Sequence, residues 1–273
     1  MNILVCDDDK EIVEAIEIYL SQEGYHILKA YDGMQALKAG KQVVTANNDL
    51  LAEHGGELLE LASSNGCDLM FEASVAGAVP IIRALKQSLA GAELTEVAGI
   101  VNGTTNYILT KMSEVGMDYE EALELAMKKG YAEADPTADV EGYDAGRKIA
   151  IMASIAFNSR VTFSQVSTEG ITGITAKDIQ YARDFGYVIK LLGIAKKEED
   201  GIEVKVHPML VPEDHPLASV RSSFNAVFVR GDACDEAMFM GRGAGKMPTA
   251  SAVMGDVIDV MGNLVHGCCG RMG

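Results

Sequence analysis

The chain has 273 residues, 48% of them hydrophobic, and a formal net charge of −17 at pH 7. That length admits one large or two ordinary domains around a sizeable core, and the acidity opposes nucleic acid and anionic lipid as partners. No apolar run reaches the roughly 18 residues of a membrane-spanning helix. The start, Met1-Asn2-Ile3-Leu4-Val5-Cys6-Asp7-Asp8-Asp9, lacks the basic region of a signal peptide, so the expectation is a cytoplasmic protein.

In chain order, Ile3-Leu4-Val5 is a short apolar strand, and Asp7 to Ser21 carries a helical stripe at Ile12, Val13, Ile16, Tyr19 and Leu20. Gly24 ends that helix, His26 to Ala30 is a second strand, and Asp32-Gly33 signals a turn. A helix between two strands implies that they pair in parallel. A short helix from about Gly33 to Ala39, closed by Gly40, leads to a strand at Val43-Val44-Thr45. A helix over Leu50–Ser64, a strand over Asp68–Phe71, a helix over Val79–Leu89 and a strand over Leu94–Val101 complete the alternation. The pattern predicts an α/β fold with an incomplete doubly wound, Rossmann-like parallel sheet.

Beyond Gly103 the character changes. Thr104–Val115 reads as a helix. Asp118 and Glu121 have the spacing of a capping box for the next one, which Gly130 closes. Pro136 makes its neighbourhood a loop, and Asp139 is placed to cap a long helix running to Phe157. Strands follow at Val188–Lys196, Glu203–Leu210, Asn225–Arg230 and Ala237–Gly241, and a last helix at Thr249–Val260. Such blocks predict an inserted α+β domain. The resulting division is residues 1–38, 39–101 (the nucleotide-binding α/β remainder), 102–245 (an α+β substrate and dimerisation domain) and 246–273, a helix returning to the first domain.

Five cysteines, Cys6, Cys67, Cys234, Cys268 and Cys269, match no zinc spacing, and adjacent Cys268-Cys269 make a poor disulfide pair. Reduced thiols are expected, with Cys6 and Cys67 as small buried hydrophobes. His207, His215 and His266 form no ligand pair and read as surface or structural residues.

Three segments could carry chemistry. The run 130–148 holds five carboxylates between Glu133 and Asp144, and it places Asp144 and Lys148 four apart on one helix face with Ile151, Met152 and Ile155 nearby. A lysine on an inward face needs a carboxylate partner, and such a pair can orient and activate a substrate hydroxyl. The plain alternative is a solvated ion pair worth about 0.3–0.5 kcal/mol. The acids ahead of the helix suit a cationic amine. Asn102-Gly103-Thr104-Thr105-Asn106 lies between a strand and a helix, where backbone N–H groups suit a carboxylate; it is equally an ordinary capped start, with Asn102 or Thr104 as cap. Gly241-Arg242-Gly243-Ala244-Gly245 allows close backbone approach but fits a phosphate cradle loosely.

Five stretches in order carry a resemblance. Thr45-Ala46-Asn47, Phe71-Glu72-Ala73-Ser74-Val75, Val101 to Leu109, the 130–148 run and Gly241 to Ser251 match the motifs of homoserine dehydrogenase, so the chain resembles that family from about Ala39 to about Val260. The resemblance implies NAD- or NADP-dependent interconversion of homoserine and aspartate semialdehyde, a step of threonine and methionine biosynthesis. It implies Lys148 as the catalytic lysine, with Asp144 hydrogen-bonding the substrate. It assigns Glu133, Asp135, Asp139, Asn102 and Thr104 to the substrate. Thr45, Ala46, Asn48, Gly130, Glu133 and Gly245 go to the cofactor. It also implies a monovalent cation, Na⁺ or K⁺, on backbone carbonyls of Glu72, Val75, Gly77 and Val79, and a homodimer through the sheet of the second domain.

Three departures accompany it. No Gly-x-Gly turn for the cofactor pyrophosphate precedes Ala39, and the first turn is acidic. The family's lysine after Thr-Ala-Asn is Asn48 here. The chain ends at Gly273, so a C-terminal regulatory domain is expected to be absent. Residues 1–38 resemble instead the start of a response-regulator receiver domain, with Asp7-Asp8 as an acidic Mg²⁺ pair and a junction near Leu37-Lys38-Ala39-Gly40. The phosphoacceptor strand of that family is missing, which counts against a phosphorelay role. An oxidoreductase with impaired cofactor binding is the expectation, and a non-catalytic dimeric scaffold is the alternative.

Overall fold

The computed structural model describes residues 2–6, 10–30 and 33–270. The acidic turn Asp7-Asp8-Asp9 and the turn residue Asp32 lie outside the described residues, as does the Cys6 side chain. The chain divides into two compact units, one taking in Met1–Thr45, His54–Phe71 and Val253–Gly273, the other Ala46–Glu53 and Glu72–Ala252.

In the first unit, β1 (Asn2–Cys6) and β2 (His26–Ala30) pair in parallel around α1 (Lys10–Gln22), as the intervening helix requires. Gly24 ends α1 at φ 81°, and Gly40, at φ 67°, follows α2 (Gly33–Lys38). A second parallel pair joins β3 (Val43–Val44) to β4 (Leu69–Met70), with α3 (Asn48–Ser64) between them in sequence. Val13, Ala36, Leu37, Leu58 and Ala62 form the buried interior. Cys67 is buried, as expected, and Cys67, Cys234, Cys268 and Cys269 are free thiols. Near the chain's end, the Asp68 carboxylate accepts from Asn263 Nδ2 at 2.8 Å and from the Gly270 N–H at 2.7 Å.

In the second unit, a short helix α4 (Ile81–Arg83) widens into a π-helical turn over Ala84–Ser88, within the predicted span. The strand β5 (Leu94–Ile100) departs from expectation. It does not extend the parallel α/β alternation; it lies inside a six-stranded mixed sheet of order β10-β9-β5-β7-β8-β6, antiparallel to β9 and β7. The alternation therefore ends one strand earlier than predicted, because β5 finds its partners more than 90 residues onward, beyond the reach of local periodicity. Next come α5 (Gly103–Val115), α6 (Tyr119–Lys128), α7 (Thr137–Val140), α8 (Tyr143–Ala156), β6 (Ser167–Thr168) and α9 (Ala176–Asp184). The unit continues through β7 (Tyr187–Glu198), β8 (Gly201–Pro212), β9 (Phe224–Gly231) and β10 (Asp235–Arg242), and α10 (Lys246–His266) begins in it.

Strand alternation sorts this sheet's side chains. Ala98, Ile100, Leu192, Ile194, Val211, Ala226 and Phe228 form one apolar cluster, joined by Leu217, Ala218 and Val220. On the other side α8 presses close at Gly193, where an added Cβ would stand 3.1 Å from Ile149 Cβ. Asp118 caps α6 by accepting from the Glu121 N–H, the forward half of the predicted box.

The long helix predicted from Asp139 is two helices. Gly142 sits at φ 82° between α7 and α8, and Asp139 lies inside α7 rather than capping α8. A left-handed glycine breaks the helical ladder there, and the apolar stripe alone does not register such a break.

Candidate functional site

The site is built around the first turns of α8. Spacing of four residues on that helix brings the Lys148 ammonium to 2.6 Å from Asp144 Oδ2, and both side chains are largely buried. Lys148 Nζ also donates to the Val101 carbonyl at 3.1 Å, tying it to the end of β5. The Asp144 carboxylate accepts two more bonds, from Asn102 Nδ2 at 2.9 Å and from Asn48 Nδ2 at 3.0 Å. Of the two readings left open by sequence, the structure shows the enclosed pair and not a solvated one.

Asn102 ties several of these groups together. Its Oδ1 accepts the Thr105 N–H at 2.9 Å, capping α5, while its Nδ2 donates to Asp139 Oδ1 at 2.6 Å as well as to Asp144. The cap is thus Asn102, not Thr104, whose hydroxyl donates to the Tyr131 carbonyl at 2.6 Å. Asp135 is exposed; the Thr137 side chain first, and then the Thr137 N–H that donates to it at 3.1 Å, hold its carboxyl below the usual range at the head of α7.

Two adjacent acids are pushed in opposite directions. Burial raises the Asp144 carboxyl, but the Lys148 charge and the bonds from Lys148, Asn102 and Asn48 outweigh it and leave the group below its ordinary value. Burial raises Asp139, helped by the Asp144 charge, and the Asn102 and Thr104 bonds and Lys148 offset only part of this. Asp144 is therefore the fixed anion of the pair, and Asp139 is the acid that accepts a proton more readily.

A cavity of about 600 Å³ opens over this cluster. It is lined by the predicted residues Asn48, Asn102, Thr104, Gly130, Glu133, Asp135, Asp139, Asp144, Lys148 and Gly245. The sequence missed Asp49, Tyr131, Arg147, Ser223 and Arg242 in the same lining. Arg147 pairs with Asp49 and stacks over Phe163; Arg242 stacks 4.7 Å from the Phe224 ring centre. Signals for the two arginines were present, since Arg147 adjoins Lys148 and Arg242 sits within the glycine run. Five carboxylates face three cations in the lining, a balance that favours a ligand carrying positive charge.

Other predicted residues lie apart from this lining. Thr45 ends β3, its N–H donating to the Met70 carbonyl, and Ala46 is exposed. Glu72 is buried and its carboxylate accepts from the Ile82 and Arg83 N–H groups, both at 2.8 Å. Val75, Gly77 and Val79 form a buried turn in which Ala76 and Gly77 are both left-handed, at φ 54° and 58°. Gly77 packs on the carbonyls of Arg242 and Gly243, and the Ala78 N–H donates to Arg242 O at 3.0 Å, so this turn buttresses the glycine segment. Among the described residues no cluster of three acidic, histidine or cysteine side chains is arranged to hold a metal ion.

Comparison with known proteins bears on this geometry. The homoserine dehydrogenase family profile matches residues 80–258, and the profile of its NAD binding domain matches residues 29–72. The second match begins inside the segment that resembles a receiver domain. The homoserine dehydrogenase of Bacillus subtilis (strain 168) is 49% identical over 264 residues, covering 97% of this chain and 60% of the relative. The crystal structure of a homoserine dehydrogenase from Thiobacillus denitrificans superposes with a TM-score of 0.87 at 42% identity, covering all of this chain and 59% of that one. A hyperthermophilic archaeal homoserine dehydrogenase in complex with NADPH gives a TM-score of 0.71 at 28% identity, over 86% of this chain and 70% of its own. The chain thus spans about three fifths of the length of the first two.

Proposed function

From the premise that the chain belongs to the homoserine dehydrogenase family, we propose that it interconverts L-homoserine and L-aspartate semialdehyde with a nicotinamide cofactor. Its fold is the family's, a Rossmann-like α/β portion followed by a mixed sheet with helices. The observation that carries the proposal is the enclosed Lys148–Asp144 pair at the base of an acidic cavity.

In this reading the substrate hydroxyl sits at Lys148 Nζ. The ammonium gives its proton to the aldehyde oxygen during reduction, and the neutral amine takes the hydroxyl proton during oxidation. Asp144, kept ionised by Lys148 and by the Asn102 and Asn48 amides, fixes the position of the lysine. Glu133 and Asp135 receive the substrate amine, with Asp139 in support. The substrate carboxylate lies toward Gly103 and Thr104 at the head of α5 and toward Arg242, which has no carboxylate partner among the described residues.

The lining fits the nicotinamide end of NAD or NADP. Gly130 and the Gly243–Gly245 segment leave room for a flat ring, Asn48 and Glu133 supply polar contacts, and the volume falls in the range of cofactor and substrate sites. When bound, that group supplies the hydride acceptor or donor. Thr45 and Ala46 belong to the same cofactor assignment. We propose weakened cofactor affinity, because no Gly-x-Gly turn precedes Ala39 and Asn48 replaces a lysine.

Three finer readings accompany this one. A monovalent cation on carbonyls of Glu72, Val75, Gly77 and Val79 is supported by the buried left-handed turn there. A homodimer through the second unit's sheet is supported by Met238 and Met240, which are exposed and share a face with their register partners Phe228 and Ala226. A receiver-like origin for residues 1–38 is supported by the parallel β1–β2 register; rapid hydrogen exchange throughout that segment would count against its packing as a βαβ unit.

The test of function compares homoserine with two analogues, one lacking the hydroxyl and one lacking the amine, at millimolar NADP or NAD. Homoserine is expected to turn over, the des-hydroxy compound to inhibit without turnover, and the des-amino compound to lose about 100-fold in kcat/KM. Homoserine that binds without any reduction of the cofactor would make the chain a non-catalytic scaffold.

A further inference from the structure

We propose that Lys190 is a positioning residue that braces one wall of the homoserine cavity through the turn at 220–224. The proposal rests on reading that cavity as the substrate site. Lys190 stands on β7 with 4% of its surface exposed, and no carboxylate lies within ion-pair distance among the described residues. A buried ammonium is costly unless its donors are used. Here Nζ donates to Asn106 Oδ1 at 3.0 Å and to the Val220 carbonyl. Asn106 Nδ2 completes the clamp, donating to Val220 O at 3.3 Å and to Phe224 O at 3.1 Å.

The clamped turn is strained and adjoins the cavity. Ser222 is left-handed at φ 58°, a conformation that costs a non-glycine residue and persists only when its surroundings enforce it. Its N–H donates to Thr110 Oγ1 at 3.1 Å, and that hydroxyl donates to the Asn106 carbonyl at 2.6 Å, closing the network on α5. The next residue, Ser223, lines the cavity beside Gly103; an added Cβ on Gly103 would stand 3.0 Å from Ser223 O. Lys190, Asn106 and Thr110 thus hold the turn, the turn holds Ser223 against Gly103, and both residues form the wall where α5 begins. Burial, together with the Arg221 charge and against the opposing Glu114, brings the ammonium down to about 8, so it still carries its donors at neutral pH.

Lys190→Met and the milder Thr110→Val, each in the full chain, test the brace by hydrogen exchange and by homoserine kinetics. Both variants are expected to exchange roughly tenfold faster over 219–226 while the centre of β7 stays slow. Their KM for homoserine should rise about five- to tenfold with kcat within about twofold, a split that a merely structural loss would not produce. Unchanged exchange over 219–226 in both variants, or a fall in kcat at fixed KM, overturns the proposal. A parent chain inert toward homoserine defeats the proposed activity separately; the exchange comparison then decides the brace, faster exchange supporting it and unchanged exchange ending it.

Discussion

The Asp144 carboxylate accepts from side chains on three segments, Asn48, Asn102 and Lys148. Replacing it with alanine strands a buried ammonium and two amides, and Asp144→Ala should cost about 3–5 kcal/mol in urea unfolding. The depressed pKa fixes the sign with pH: this stabilisation is present above the ordinary carboxylate range and is lost as pH falls through the folded value. Asp139 runs the other way. Its raised pKa means that its charge opposes folding at neutral pH, and protonation removes that cost. Asp139→Asn should therefore be neutral or stabilising at pH 7, with the gain shrinking as pH falls through the raised value; a loss of stability at neutral pH would contradict this. Asn48→Lys should raise kcat/KM by about tenfold if a cation beside the reacting hydroxyl is what Asn48 removes. The Asp144–Lys148 pair was legible because four residues is one helical turn. The Asn102 bridge was not, since Asp139 and Asp144 lie 37 and 42 positions away and only folding joins them.

At the scale of elements, two glycines decide local geometry. Gly142 separates α7 from α8 at φ 82°, where alanine would strain the backbone, so Gly142→Ala should cost about 1 kcal/mol or more. Gly77 is both left-handed, at φ 58°, and in direct contact with the Arg242 and Gly243 carbonyls. A Cβ there meets backbone that cannot turn aside, and Gly77→Ala should lose about 2–3 kcal/mol and disturb the glycine segment of the cavity. Chemical denaturation checks both; a cost under half a kilocalorie for Gly77→Ala would show that the buttress yields. Elements with strong stripes or glycine stops were readable, among them α1, α5, β5 and β7 to β10, whereas the two-residue β6 was too short to register. The helix α9 was not, because only Ile179 and Ala182 are buried on it, too thin a stripe for periodicity; its cap by Thr175 and Asp178 was the available signal. The strand β5 was found, but its sheet was not, since pairing with β7 and β9 is set by tertiary register.

For the molecule as a whole, charge and burial set the pH response. Lys190 titrates at about 8 in the fold and near 10.5 when unfolded, so the unfolded chain binds the extra proton between those values and stability rises with pH. Between pH 8 and 10 the parent should gain on Lys190→Met by about 2 kcal/mol. Parallel stability curves would contradict the burial of that charge. The most direct measurement of the central claim compares Lys148→Ala with the parent for homoserine binding and for homoserine-dependent cofactor reduction. Binding is expected to be preserved within a few fold and turnover to fall by about 10³ or more. Turnover by Lys148→Ala at the parent's rate would contradict that claim.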